Sequence, residues 1–280
     1  MQQALNLIRT SLGNLYPKGE IEGFIRLIFD EICGFSTTDL LLKRDDKLSS
    51  DVMSQIESVV ERLKSYEPIQ YILENAYFGD LRIKVGPGVL IPRPETAEIV
   101  ERIVADRTVV KGRVADLCTG SGCIAVALAK RWPEARVEGW DISEQALSYA
   151  RINAERNNVD IEWVLGDVLD ANIDRPHKYD VIVSNPPYIL DSERESMEQN
   201  VLQYEPHLAL FVRDNTPLLF YTAIARLARR LLLPTGVLYF EINSRMGSEC
   251  RKMLLAEGYK KVDVYQDFMG LDRMVRATLI

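Results

Sequence analysis

The stretch Asn185-Pro186-Pro187-Tyr188 combines residue types that can hold a planar nitrogen group. It follows residues 179–184, an apolar run that predicts a buried strand. Because proline has no backbone N–H, the hydrogen-bonding ladder of that strand must end here. Asn185 Oδ1 and the Pro186 carbonyl can each accept one N–H of a substrate –NH₂, and Tyr188 can stack on the planar group. A rigid turn would also use Asn-Pro, so a chemical role is a hypothesis at this point.

A glycine loop with a following acid predicts a nucleotide-like ligand. Gly120 and Gly122 lie between a predicted strand and a predicted helix, where the backbone can approach a ligand closely. Asp141 ends the next predicted strand about 20 residues later, where a carboxylate can bind ribose hydroxyls. With Ala125, the spacing also fits the loose dinucleotide fingerprint, and a tight turn with a helix-capping Asp remains the structural alternative. The loop alone does not separate a nicotinamide oxidoreductase from an S-adenosylmethionine-dependent methyltransferase.

Three further features favour the methyltransferase. Asp116 stands at the end of the strand before the loop, a placement typical of methyltransferases. Asp167 follows the third strand, where its carboxylate can accept a hydrogen bond from the adenine amine while Val168 packs beside the ring. For Asp167, capping its own loop is an almost equal alternative. The end of the chain predicts an antiparallel hairpin, which matches the methyltransferase variant of the doubly wound sheet.

The sequence resembles one methyltransferase family in particular. Asn-Pro-Pro-Tyr resembles the signature of methyltransferases that act on a planar nitrogen, either an amide or an exocyclic amine. The segments EPIQYILENAYFGDLRIKVGPGVLIPRPET (67–96), DLCTGSG (116–122) and SNPPYI (184–189) together resemble the release-factor glutamine methyltransferase family. The resemblance spans the whole chain, including the DFMGLDRMVRA end. The combination of IPRPET with NPPY is specific, whereas the glycine loop by itself is not.

This resemblance implies a substrate, a donor and a set of site residues. The implied reaction methylates the glutamine amide nitrogen in the Gly-Gly-Gln loop of class I peptide-chain release factors. The implied donor is S-adenosyl-L-methionine, and its product is S-adenosyl-L-homocysteine. The implied catalytic residues, which receive the glutamine, are Asn185, Pro186, Pro187 and Tyr188. The implied cofactor-binding residues are Cys118, Thr119, Gly120, Ser121, Gly122, Asp141, Asp167, Val168 and Asn185.

Two positions depart from the family pattern. Cys118 stands where the family usually has glycine, and Val168 where a bulkier apolar or aromatic residue often covers the adenine. Neither position touches the transfer geometry, so both concern the affinity for the donor and not the type of reaction.

The elements that must position these residues suggest an α/β protein with an added helical domain. Residues 1–75 show helical apolar spacing throughout and predict a small substrate-recognition bundle, with Gly34 ending one helix and Ser50 starting another. Residues 76–92 show the alternation of apolar and polar residues typical of strands, which predicts a hairpin linker. Residues 93–280 alternate strand and helix, which predicts a doubly wound, Rossmann-like class I methyltransferase sheet closed by the antiparallel terminal hairpin.

Composition limits the remaining possibilities. The 280 residues are 47% hydrophobic and 27% charged, with a net charge of −7. No apolar run reaches the roughly 20 residues of a membrane span, and the first residues lack a signal-peptide layout, so a cytoplasmic enzyme without a membrane partner is predicted. Four cysteines and two histidines form no tight cluster, so no metal is predicted.

Three other functions were weighed against the glutamine methyltransferase. A nucleic-acid exocyclic-amine N-methyltransferase shares the chemistry, but the acidic balance weighs against nucleic acid as a partner. A nicotinamide oxidoreductase and a non-catalytic binding module have no use for Asn-Pro-Pro-Tyr.

Overall fold

The computed structural model describes residues 1–107, 110–170, 173 and 175–280. The chain forms two compact units. The first comprises Met1–Asn75 and Glu198–Tyr204, and the second comprises Ala76–Met197 and Glu205–Ile280. None of the described helices is both long and apolar enough to cross a bilayer.

The first unit is a small helical bundle. Its helices are α1 (Gln2–Leu12), α2 (Lys18–Cys33), α3 (Thr37–Leu42), α4 (Ser50–Leu63), α5 (Ile69–Ile72) and a short helix at Gln199–Tyr204. Their apolar faces meet in one core that contains Ile8, Ile28, Phe29, Ile56 and Leu63. This core explains the helical apolar spacing of residues 1–75, because α1, α2 and α4 each bury one stripe of side chains.

The ends of two of these helices follow local capping chemistry. Gly34 has a φ of 66° and its N–H donates to the Asp30 carbonyl, which ends α2 as expected. The predicted N-cap Ser50 is wrong by one residue: Ser49 precedes α4, and its hydroxyl accepts from Val52 N at 3.3 Å. The two adjacent serines look alike in sequence, and only the backbone conformation decides which one caps the helix.

A seven-stranded sheet forms the centre of the second unit. Its strands, in spatial order, are β10 (Lys261–Gln266), β11 (Asp272–Thr278), β9 (Leu232–Glu241), β6 (Tyr179–Ser184), β3 (Arg113–Leu117), β4 (Arg136–Asp141) and β5 (Ile161–Leu165). The strands from β9 to β5 pair in parallel, whereas β11 is antiparallel to both β9 and β10. The predicted α/β class and the antiparallel terminal hairpin are therefore confirmed.

Helices and short strands complete this unit. The helices are α6 (Pro94–Asp106), α7 (Cys123–Arg131), α8 (Glu144–Arg156), α10 (His207–Leu210), α11 (Leu219–Leu231) and α12 (Gly247–Ala256), where α9 is the helix at Gln199–Tyr204. A 3₁₀ helix covers Asp191–Ser196, and β7 (Ile189–Leu190) pairs with β8 (Phe211–Val212). Residues 76–92 hold the antiparallel pair β1 (Ala76–Phe78) and β2 (Leu81–Ile83), which belongs to this second unit.

The order of the strands determines where a ligand can bind. From the central β3 the chain adds β4 and β5 on one side, then returns to add β6 and β9 on the other. The loops after β3 and β6 therefore diverge at the carboxyl edge of the sheet and leave a crevice between them. Open α/β sheets bind their ligands at such a switch point.

Candidate active site

A cavity of about 360 Å³ opens at this switch point. The predicted site residues among its lining follow four neighbouring strands: Cys118, Thr119, Gly120, Ser121, Asp141, Asp167, Val168, Asn185 and Pro187. Three predicted residues, Gly122, Pro186 and Tyr188, do not line it. The structure thus brings most of the predicted cofactor residues and the first and third residues of Asn-Pro-Pro-Tyr to one cavity.

The loop after β3 is built from left-handed backbone conformations. Gly120 has a φ of 55°, and a Cβ added there would meet no atom within 4 Å, so this backbone borders open space on the cavity side. Gly122 has a φ of 78°, but a Cβ there would lie 2.9 Å from Ala150 Cβ. Gly122 therefore serves the close packing of the loop against α8, whereas Gly120 leaves room for a ligand.

Cys118 occupies the same region of backbone space without being glycine. Its φ is 60°, which is costly for a residue with a Cβ and explains why a glycine suits this position. The side chain lines the cavity. Burial, with a contribution from nearby Asp141, raises the pKa of the thiol well above its ordinary value, so the group is a protonated thiol at neutral pH.

Asp116 stabilises the loop after β3 through hydrogen bonds. Its Oδ2 accepts from the Thr119 hydroxyl at 2.6 Å and from Ala125 N at 3.2 Å. The side chain is fully buried, and burial raises its pKa to about 7, although these two donors oppose the shift. Oδ1 has no hydrogen-bond partner in the described part of the chain. Asp116 does not line the cavity, so its placement serves the shape of the loop.

Asp141 lies at the end of β4 and faces the cavity. Its Oδ2 accepts from Gly120 N at 2.9 Å, and its Oδ1 accepts from Ser143 N at 2.9 Å. Burial raises the pKa of this carboxyl, and the backbone N–H groups oppose the rise. Each carboxylate oxygen retains a further lone pair, so Asp141 can still accept ribose hydroxyls.

Asp167 and Val168 follow β5 by two and three residues. Asp167 Oδ1 accepts from Leu169 N at 2.9 Å, which is the loop-capping contact that the sequence left open. Val168 is buried and lines the cavity beside it. Capping engages one oxygen of Asp167, and the other accepts no hydrogen bond from the described residues, so it can meet a ligand.

Asn185 and Tyr188 make different contacts at the end of β6. Asn185 lines the cavity, and its Nδ2 donates to Thr96 Oγ1 at 3.4 Å. The Tyr188 hydroxyl donates to the buried carboxylate of Glu241 at 3.0 Å, and its ring packs against the core of the second unit. This packing places Tyr188 beside the site and not in its lining, so its stacking on a substrate stays a prediction.

Comparisons with known proteins decide the family. Residues 95–207 match the family model Methyltransferase small domain, and residues 3–73 match the PrmC N-terminal domain. The chain is 44% identical over 277 residues to the release factor glutamine methyltransferase of Bacteroides thetaiotaomicron, covering 99% of each chain. It is 42% identical to that of Flavobacterium psychrophilum, covering 95% of this chain and 94% of the relative. The chain belongs to the release factor glutamine methyltransferase family.

A solved structure supports the fold of this family member independently. A methyltransferase from Pyrococcus furiosus superposes with a TM-score of 0.52, covering 82% of this chain and 99% of the other. At 17% identity this likeness concerns the fold alone.

As a member of this family, the enzyme uses S-adenosylmethionine as its methyl donor. The residues present fit it: open space beside Gly120 admits a ligand close to the backbone, and Asp141 offers acceptors to ribose. Val168 offers an apolar surface to a ring. Within the described residues, no three His, Cys, Asp or Glu side chains could hold a metal ion.

Two further residues support the site, and the sequence did not predict either of them. Thr96 and Glu241 are both buried and are joined by a hydrogen bond of 2.6 Å, although 145 positions separate them. Thr96 belongs to the IPRPET segment, whose resemblance to the family could have pointed to it. Glu241 carried no signal beyond being an acid at the end of an apolar strand.

We expect the substitution Asp141→Ala to weaken the binding of S-adenosylmethionine by about 1–3 kcal/mol, or roughly 5- to 150-fold in Kd. The variant loses the acceptors for ribose and also releases the N–H of Gly120, which Asp141 now fixes. Isothermal calorimetry measures the effect. Asp160→Ala, which removes an exposed carboxylate outside the cavity, is the matched control. Unchanged affinity in Asp141→Ala, or tight binding of NAD by the wild type, would contradict the role of Asp141.

Proposed function

We propose that this enzyme transfers a methyl group from S-adenosylmethionine to the side-chain amide nitrogen of the glutamine in the Gly-Gly-Gln loop of class I release factors. The observation that carries the proposal is the shared cavity. The Gly120 loop and Asp141, which suit the donor, line the same cavity as Asn185, which suits a planar –NH₂. The relatives supply the class of substrate, because their names specify the glutamine of a release factor.

The chemistry requires careful alignment because an amide nitrogen is a poor nucleophile. Its lone pair is delocalised into the neighbouring carbonyl. Asn185 Oδ1 accepts one N–H of the substrate amide, and the Pro186 carbonyl, which does not line the cavity, stays the predicted acceptor of the other. These contacts would direct the nitrogen lone pair at the methyl group and favour a pyramidal nitrogen. The bound donor would supply an electrophilic methyl group on a positively charged sulfur. As the N–C bond forms the S–C bond breaks, the sulfur becomes neutral, and the nitrogen releases one proton to water. The two prolines hold the Pro186 carbonyl at little entropic cost.

The helical unit is proposed to bind the protein substrate. The cavity is lined by residues of the second unit alone within the described chain, which leaves residues 1–75 without a chemical role. Leu41 and Leu42, at the end of α3, are 76% and 79% exposed. Two adjacent exposed leucines suit contact with another protein.

The cytoplasm is the proposed location. The four cysteines are unpaired, as expected of a reducing compartment, and the proposed substrate acts in translation.

Methyl transfer from tritiated S-adenosylmethionine tests the proposal. The wild-type enzyme is assayed with an intact release factor, with its Gln→Ala variant, and with adenine-containing duplex DNA. We expect label in the unmodified release factor alone. Label in the DNA would favour a nucleic-acid methyltransferase, which shares the chemistry of the site, and label in the Gln→Ala variant would place the methyl group on another residue.

A further inference from the structure

A buried carboxylate connects α6 with the loop after β6, the two elements that hold Thr96 and Asn185. Glu241 lies at the end of β9 with only 2% of its surface exposed. Its Oε2 accepts from the Thr96 hydroxyl at 2.6 Å, and its Oε1 accepts from the Tyr188 hydroxyl at 3.0 Å. Burial raises the pKa of Glu241, while these two hydroxyls and the charge of Arg273 oppose the rise. Its two oxygens therefore serve as acceptors for α6 and for the loop after β6.

The bond between Thr96 and Glu241 limits what Thr96 can offer to Asn185. A hydroxyl has a single proton, and that proton points at Glu241 Oε2. The oxygen of Thr96 can then only accept, and the Asn185 group within reach, at 3.4 Å, is Nδ2. Because the oxygen and nitrogen of an amide diverge from the same planar carbon, Asn185 Oδ1 points in a different direction from the Nδ2 that meets Thr96. It is the amide atom left available to a ligand in the cavity.

We infer that Thr96 and Glu241 are positioning residues that select the orientation of the Asn185 amide in which Oδ1 accepts an N–H of the substrate. The opposite orientation would present an N–H to the substrate –NH₂, and two donors cannot form a hydrogen bond. This inference rests on the proposed function, because it assumes that the group received at Asn185 is a substrate –NH₂. It gives the threonine of the IPRPET segment a role in the transfer.

Two nearly isosteric substitutions test the chain of donors and acceptors. Thr96→Val removes the acceptor for Asn185 Nδ2 and keeps the shape. Glu241→Gln introduces a donor that can point at Thr96, so that Thr96 can donate to Asn185 Oδ1 and select the wrong orientation. We expect each to lower kcat for release-factor methylation by about tenfold, the scale of one hydrogen bond. The Kd of S-adenosylmethionine should change less than about twofold, since the bonds of Asp141 are untouched. Thr96→Ser, which keeps the hydroxyl, should stay within about threefold of the wild-type kcat.

A double-mutant cycle separates positioning from general support of the fold. If Thr96 acts through Asn185, Thr96→Val should cause no further loss of kcat in an Asn185→Ala background. An equal loss in both backgrounds, or full activity of Thr96→Val, would overturn the inference.

The side-chain amide of Asn185 gives a readout that needs no substrate. In ¹⁵N-labelled enzyme its –NH₂ signals are identified by their absence in Asn185→Ala. They should shift and exchange faster with water in Thr96→Val but not in Thr96→Ser. Asn185 –NH₂ signals that are unchanged in Thr96→Val would also overturn the inference. A wild-type enzyme that fails to label release factor would instead contradict the proposed function, and the amide signals would still test the hydrogen bond.

Discussion

Replacing Asn185 with alanine should lower kcat for methyl transfer to a release factor by about 10²- to 10³-fold, or roughly 2.7–4 kcal/mol of transition-state stabilisation. Asn185 lines the cavity at the end of β6 and offers a fixed acceptor to the substrate nitrogen. Removing one preorganised hydrogen bond to the substrate nitrogen costs this much because that bond stabilises the transition state and not the ground state. Single-turnover transfer from tritiated S-adenosylmethionine measures the loss. Donor affinity should largely survive, since the Gly120 loop and Asp141 remain.

The matched control for this result is Asn157→Ala. Asn157 follows α8 outside the cavity, and among the described residues its side chain donates to the Arg82 and Asn153 carbonyls, so kcat should be unchanged. Thermal unfolding of both variants shows whether either has lost its fold. If an Asn185→Ala enzyme folds and transfers methyl groups at the wild-type rate, Asn-Pro-Pro-Tyr serves only as a rigid turn.

The substitution Glu138→Ala should lower the free energy of unfolding by about 3–5 kcal/mol, the usual cost of removing one partner from a buried ion pair. Glu138 lies in β4 with 1% of its surface exposed. It accepts from Arg113 at 3.1 Å, Arg175 at 2.8 Å, the Tyr179 hydroxyl at 2.7 Å and the Trp140 indole at 3.2 Å. Arg175 keeps its pairing with Glu162, but Tyr179 and Trp140 lose their Glu138 acceptor in a buried site. Urea unfolding, with the slope compared between variants, measures the loss.

Glu162→Ala is the control for the effect of burial. Glu162 also pairs with Arg175, at 2.9 Å, but its side chain is 56% exposed, so its removal should cost less than about 1 kcal/mol. If the two variants lose the same free energy of unfolding, the buried hydrogen bonds of Glu138 contribute no more to stability than an exposed ion pair.

The stability of the wild-type enzyme should depend on pH through Glu138. Burial raises the pKa of Glu138, but the bonds from Tyr179 and Arg175 outweigh burial, and the net shift is downward. A carboxyl whose pKa is lowered by folding contributes stability above its unfolded pKa. That contribution is lost as the pH falls through the folded pKa, and Glu138→Ala should lack this part of the acid sensitivity.

Much of the fold and part of the site could be predicted because the signals are local. Helical spacing in residues 1–75 and the alternation of strand and helix after Arg113 reflect which faces of each element are buried. The Gly120 loop and Asp141 follow strands β3 and β4, and the carboxyl ends of parallel strands meet at one edge. The resemblance grouped these residues with Asn185, and the order of the strands explains why they line one cavity.

Tertiary packing alone decided how the individual side chains are used. Gly122 packs against α8, and the Tyr188 hydroxyl turns to Glu241. The helix at Gln199–Tyr204 belongs to the same compact unit as residues 1–75, although the sequence placed it with 93–280. Thr96 and Glu241 meet across 145 positions. Such contacts leave no periodic pattern, because a polar side chain in a core is placed by the partner that satisfies its hydrogen bond, and that partner comes from a distant segment that only folding brings near.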